Sequence, residues 1–133
     1  MFAALCDDDK YITEEIKKLL LEYAKDNRIT IDIDEFESGE ELLNSEKNYD
    51  IIVLDYQLGS TNGLTVAKEL RKRNVLSSII FLTSYPNFMI DAFEVNTFRF
   101  LLKPIDKSKF FKAIDDYIKI VDANYPITII QNK

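Results

Sequence analysis

Histidine is absent from this chain, and cysteine occurs once, at Cys6. Without histidine there is no His-ligated zinc and no Ser-His or Cys-His nucleophile, so any chemistry has to run on carboxylates, hydroxyls, lysines or a metal held by oxygen. A lone cysteine forms no internal disulfide. Cys6 reads as an inert buried strand residue, and a reducing compartment is the natural setting. No apolar run approaches the roughly 20 residues that cross a membrane. The N-terminus turns acidic at Asp7, too early for a signal peptide, so the expectation is a cytoplasmic protein. Positive charge is also short: Lys and Arg total 17 against 23 Asp and Glu, a net charge of -6. A surface of that sign repels phosphate backbones and anionic lipid, which argues against nucleic-acid or membrane binding by this segment.

What is present is apolar matter in a regular arrangement. With 133 residues, 47% of them hydrophobic, the chain can bury one sizeable core. There are no repeats and no low-complexity stretch. Short apolar runs alternate with segments of helical period, the signature of a parallel α/β sheet. Phe2 to Cys6 reads as a first strand, and Ile12, Ile16, Leu19, Leu20 and Tyr23 predict a helix over about residues 10 to 26. Ile29, Ile31 and Ile33 alternate with polar residues, as in a second strand at a sheet edge with one wet face. Ser38 and Glu41 fit a capping box opening a short second helix.

Ile51–Leu54 and Ile79–Leu82 are unbroken apolar runs, as expected of central strands covered on both faces. Leu64, Ala67 and Leu70 mark the buried side of the helix between them. A fourth helix is predicted within Asn87–Glu94, a fifth strand at Phe98–Leu102, and a fifth helix on Phe110, Ile114, Tyr117, Ile118 and Val121. Five alternating βα units imply a doubly wound, flavodoxin-like parallel sheet of order 2-1-3-4-5. Residues 1–123 make one domain on this reading. Residues 124–133, with the strand-like Tyr125–Ile130, read as a linker or the start of a further domain.

In such a sheet, ligands gather at the carboxyl ends of the strands, next to the point where strand order reverses. Those ends carry Asp7-Asp8-Asp9, Asp55-Tyr56-Gln57, Thr83-Ser84 and Lys103-Pro104. Carboxylates held together repel unless a cation lies among them, and an all-oxygen site suits Mg²⁺. Asp55 would attack phosphorus, Lys103 and the metal would offset phosphoryl charge, and the Thr83 hydroxyl would donate a hydrogen bond to it.

Taken together, Asp7-Asp8, Asp55, Thr83 and Lys103-Pro104 resemble the signature of response-regulator receiver domains of two-component systems, over about residues 1 to 121 and including the Asn62-Gly63-Leu64 turn. The resemblance implies that Asp7 and Asp8 bind Mg²⁺, that Asp55 is the phosphoacceptor, and that Gln57 lends its backbone carbonyl to the metal. It also implies that Thr83 and Lys103 sense the phosphate and that Phe100 is the rotameric switch aromatic. Ser84–Asn87, Ala92–Val95 and Phe100–Pro104 are similar to receivers with a LytTR-type DNA-binding output, here C-terminal and outside the chain. A sensor histidine kinase is the implied phosphodonor, and enzymatic activity is confined to self-directed phosphoryl transfer and autodephosphorylation. Gly59 departs from the proline common at its position, which should loosen the loop after Asp55. Phe88, Met89, Ile90 and Phe93 suggest a homodimer face strengthened by phosphorylation, or else simple packing of helix four. Asp7 to Asp9 could instead only cap the first helix. The alternative of another class is a haloacid-dehalogenase-like Mg²⁺ phosphohydrolase, but its Asp-x-Asp acid-base position holds Gln57 here.

Overall fold

A computed structural model describes residues 1–124; the strand-like Tyr125–Ile130 segment lies outside them. Five strands, β1 (Phe2–Cys6), β2 (Asp32–Phe36), β3 (Ile51–Leu54), β4 (Ser78–Thr83) and β5 (Thr97–Leu102), form one sheet of order β2-β1-β3-β4-β5, with every neighbour parallel. Successive side chains of a strand point to opposite faces, so each apolar run feeds two cores. Ala4, Cys6, Ile52, Leu54, Ile79 and Phe81 fall in one cluster. Ala3, Leu5, Ile51, Val53, Ile80 and Leu82 fall in the other.

Helices α1 (Lys10–Asn27) and α5 (Lys107–Asn124) cover the second cluster with Ile16, Leu20, Tyr23, Phe110 and Ile114. Helices α2 (Gly39–Asn44), α3 (Gly63–Lys72) and α4 (Met89–Ala92) cover the first with Leu42, Val66, Leu70 and Ala92. Local signals set their starts. The Ser38 hydroxyl accepts from the Glu41 amide at 3.1 Å, while the Glu41 carboxylate reaches back to the Glu37 amide at 2.9 Å. Asn62 caps α3 through the Thr65 amide, as the Asn62-Gly63-Leu64 turn implied. Asp9 caps α1 through the Tyr11 amide, which leaves Asp7 and Asp8 outside that duty.

Two local expectations are corrected and one is refined. The second strand begins at Asp32, not Ile29. Arg28 closes α1 in the left-handed region (φ 55°), and the Ile29 amide returns to the Ala24 carbonyl, so Ile29 belongs to the helix stop. The strand keeps its edge position. Helix four falls within Asn87–Glu94 as expected but is only the four-residue α4, flanked by 3₁₀ turns at Pro86–Phe88 and Phe93–Val95, none with a side-chain cap. The loop after Asp55 closes into a hairpin, Gln57–Leu58 against Thr61–Asn62, with Gly59 at φ 69°, a conformation closed to proline.

Arg71 joins α3 to its surroundings. Its guanidinium donates to the carbonyls of Val75, Ser77, Val95 and Asn96 at 2.7–3.1 Å, and this tethers the end of the α4 segment. At the other end of α3, Gly63 lies against the strand that carries Asp55: a Cβ there would stand 2.1 Å from the Asp55 carbonyl oxygen. Gly63→Ala is therefore expected to lower stability in urea unfolding by about 3 kcal/mol through forced backbone displacement. Gly59→Ala, in open space but at positive φ, should cost only about 1 kcal/mol.

Candidate functional site

Parallel pairing of β1 with β3 ends with Cys6 opposite Leu54, so the next residue of each strand, Asp7 and Asp55, emerges at the same rim. The Asp55 amide donates to the Cys6 carbonyl at 3.1 Å, and the Asp7 amide to the Phe36 carbonyl at 3.2 Å. Both aspartates are buried, Asp8 is exposed, and carboxylate oxygens of all three lie within 4.8 Å of one another.

β5 delivers the compensating charge. Lys103 Nζ stands 3.0 Å from Asp7 Oδ2 and 3.1 Å from Asp55 Oδ2, with its own side chain mostly covered. The amide of Lys103 donates to the Thr83 carbonyl at 2.8 Å, which ties the end of β5 to that of β4. Thr83 is fully buried, and its hydroxyl oxygen accepts from the Tyr85 amide at 3.3 Å. The other oxygens are held by backbone: Asp55 Oδ1 accepts from the Tyr56 amide at 2.7 Å, and Asp7 Oδ1 from the Asp9 amide at 2.9 Å.

Burial pushes the Asp7 carboxyl above its ordinary range, against the lowering effect of the Asp9 amide and Lys103, and the charge of Asp55 adds to the rise. For Lys103, burial acts to depress the ammonium, yet the hydrogen bond and charge of Asp7 with the charge of Asp55 outweigh it and hold the group above its usual value. Three carboxylates against one ammonium leave an excess of negative charge. Hard oxygen donors, negative excess and an exposed Asp8 fit a divalent cation such as Mg²⁺.

Of the residues singled out in the sequence, Asp7, Asp8, Asp55 and Lys103 meet directly, and Thr83 adjoins them through Lys103. Gln57 opens the hairpin, and its exposed side chain accepts from the Tyr85 hydroxyl at 2.6 Å. Phe100 stands apart from the charges. It packs in an aromatic group whose ring centroids run from Tyr85 to Tyr56 (5.9 Å), Tyr56 to Phe88 (4.2 Å) and Phe88 to Phe100 (5.1 Å), with Phe81 beneath. Phe88 is buried at 6% exposure, so it drops out of the suggested dimer face, whereas Met89, Ile90 and Phe93 are 41%, 80% and 68% exposed. Sequence reasoning missed Tyr56, whose amide holds Asp55. A residue acting through its backbone leaves no side-chain signal.

Residues 3–115 match the family described as response regulator receiver domain. The chain belongs to that family. Among curated relatives, the sensory transduction protein LytT of Bacillus cereus is 34% identical over 90% of this chain, and LytR of Staphylococcus epidermidis is 32% identical over 86%. This receiver domain spans about half the length of these relatives, 48% and 45%. Among solved structures, the response regulatory domain of mrkE from Klebsiella pneumoniae superposes with a TM-score of 0.80 at 21% identity, covering 90% of this chain and 97% of that one. The response regulator TrrA of Thermotoga maritima, solved in complex with Mg(2+)-BeF, gives 0.75 at 28% identity, covering 87% and 97%. The haloacid-dehalogenase-like alternative finds no support in these matches. Among the described residues, no helix is long and apolar enough to cross a membrane.

Cys6 lies under this site with its thiol pushed up to about 12, first by burial and then by the charge of Asp7. At pH 8 only about one thiol in 10⁴ would be ionised. Native protein should resist a disulfide reagent for hours and react fully in guanidinium; rapid native labelling would contradict this burial.

Proposed function

We propose that Asp55 accepts a phosphoryl group from a sensor histidine kinase, and that this transfer is the input of the domain. The observation that carries the proposal is the Lys103 ammonium bridging Asp7 and Asp55, a mostly covered cation of the kind a dianionic group on Asp55 would need. In the transfer, a carboxylate oxygen of Asp55 forms the new P–O bond while the donor's P–N bond breaks, and Asp55 neither gains nor loses a proton. The Tyr56 amide donates to one oxygen of Asp55 and the Lys103 ammonium to the other. Lys103 then exchanges carboxylate oxygens for phosphoryl oxygens, and the Thr83 hydroxyl turns from its local contact to donate to one of them.

Mg²⁺ would be held by Asp7, Asp8, Asp55 and the backbone carbonyl of Gln57, and when bound it supplies positive charge against the phosphoryl oxygens. The complex of TrrA with Mg(2+)-BeF supports this reading by likeness. Phe100 follows as the switch aromatic. The output is a C-terminal DNA-binding domain of LytTR type, in keeping with the LytT and LytR relatives, and the setting is cytoplasmic. The exposed Met89, Ile90 and Phe93 would form the phosphorylation-strengthened homodimer face, checked by sedimentation before and after phosphorylation.

With Mg²⁺ and a small acyl phosphate, intact mass should show one added phosphoryl group on wild type and none on Asp55→Asn or in excess chelator. Label on either would defeat the assignment. The Tyr85 hydroxyl, bonded to the Gln57 side chain, would slow the water that attacks the aspartyl-phosphate. Tyr85→Ala should accordingly shorten the life of the aspartyl-phosphate severalfold, measured as loss of the added mass; an unchanged life removes the shielding role.

A further inference from the structure

The Pro86–Val95 segment has a peculiar attachment. Its three pieces have no side-chain caps, its α-helical part is four residues long, and its buried side chains are Phe88, Ala92 and Val95. A segment so short does not hold itself together by helical cooperativity, so its position is set by what its ends touch. The far end is tied: Arg71 donates to the Val95 and Asn96 carbonyls at 2.7 and 3.1 Å. The near end is tied at Tyr85, just before it, whose amide donates to the Thr83 hydroxyl at 3.3 Å and whose hydroxyl donates to Gln57 at 2.6 Å; within the segment's first turns the one buried side chain among the described residues is Phe88.

That ring is in contact with both sides of the site's periphery. Its centroid is 4.2 Å from Tyr56, the residue whose amide holds Asp55, and 5.1 Å from Phe100 on β5. Phe81, two residues before Thr83 on β4, closes the group edge-on at 5.3 Å. The next residues after Phe88 are the exposed Met89 and Ile90, with Phe93 one turn on.

We propose that Phe88 is the positioning residue that couples the carboxylate site to the exposed Met89–Ile90–Phe93 ridge. This rests on the phosphoacceptor reading above. A close-packed ring cannot stay in place when either neighbour changes rotamer, because interiors shift between discrete packings and do not deform continuously. A displacement of Tyr56 or Phe100 therefore moves Phe88. With Val95 and Asn96 held by Arg71, the motion is taken up as a swing of the near end, which carries Met89 and Ile90. Ala92 and Val95, nearer the tethered end, move least.

The test compares wild type, Phe88→Leu and Phe88→Ala by intact mass and by amide exchange, each with and without Mg²⁺ and a small acyl phosphate. All three should gain the added mass, since Phe88 touches no reacting atom. In wild type, phosphorylation should change exchange in residues 86–93 by about tenfold, a typical size for coupling between sites. In Phe88→Ala that difference should fall below about twofold while basal protection elsewhere stays unchanged, and Phe88→Leu should retain part of it. A full phosphorylation-dependent change in Phe88→Ala overturns the coupling. If wild type gains no mass, the phosphoacceptor reading fails by itself, and the coupling is decided by a double-mutant cycle of Phe88→Leu with Phe100→Leu on opening of residues 86–93. Non-additivity of about threefold or more sustains it, and additive effects overturn it.

Discussion

Lys103 is the one charge on which the arrangement of the rim depends. Two buried aspartates emerge side by side because β1 and β3 are parallel neighbours in register, and Asp8 adds a third carboxylate within 4.8 Å. At an effective dielectric of about 20, two such charges repel by on the order of 3–4 kcal/mol, a large share of a small domain's net stability. The ammonium offsets this repulsion for the buried pair. It does so from the far edge of the sheet, so β5, β4, β3 and β1 have to be assembled before the carboxylates are tolerable.

The same dependence makes the site responsive. An ammonium shared between two carboxylates is a contact that a more highly charged group can take over. On the proposed phosphorylation the ammonium would move while the Lys103 amide, bonded to the Thr83 carbonyl, keeps β4 and β5 joined at the rim, so the change would pass outward through side chains. The aromatic group of Tyr56, Phe81, Phe88 and Phe100 lies in that direction, between the charged rim and the exposed ridge of α4. On the α1 and α5 side, the aromatic contacts among the described residues are the pairs Tyr23 with Phe111 and Phe98 with Tyr117. Polar ties there join α1 to α5 through Tyr23 and Asp115, and β5 to α5 through Arg99 and Asp116.

Much of this architecture was legible beforehand. Strands β1, β3 and β4 were readable because runs such as Ile51–Leu54 are apolar at every position, which only a strand covered on both faces requires. Helix α1 was readable from Ile16, Leu20 and Tyr23 at helical spacing, α2 from the cap Ser38, and α3 from Leu64, Ala67 and Leu70 on one face. The boundary of β2 was not. Its alternating isoleucines extend the apparent strand, while the helix stop uses Arg28 at positive φ in place of the usual glycine.

By itself, then, the sequence determined the alternation of elements, the strand order and the chemical types gathered at the strand ends, because periodicity and composition are local properties. Tertiary structure alone decided which of three neighbouring aspartates would cap α1 and which would face one another: Asp9 turned to Tyr11, and Asp7 turned to Lys103, 96 residues away. It also decided that Phe88 would be buried while Met89 and Ile90 stayed exposed, since no pattern in a broken four-residue helix says which side meets the sheet. These outcomes depend on the registers of β3, β4 and β5 and on the tether of Arg71 to Val95, contacts between residues far apart in the chain that exist only once the sheet is assembled.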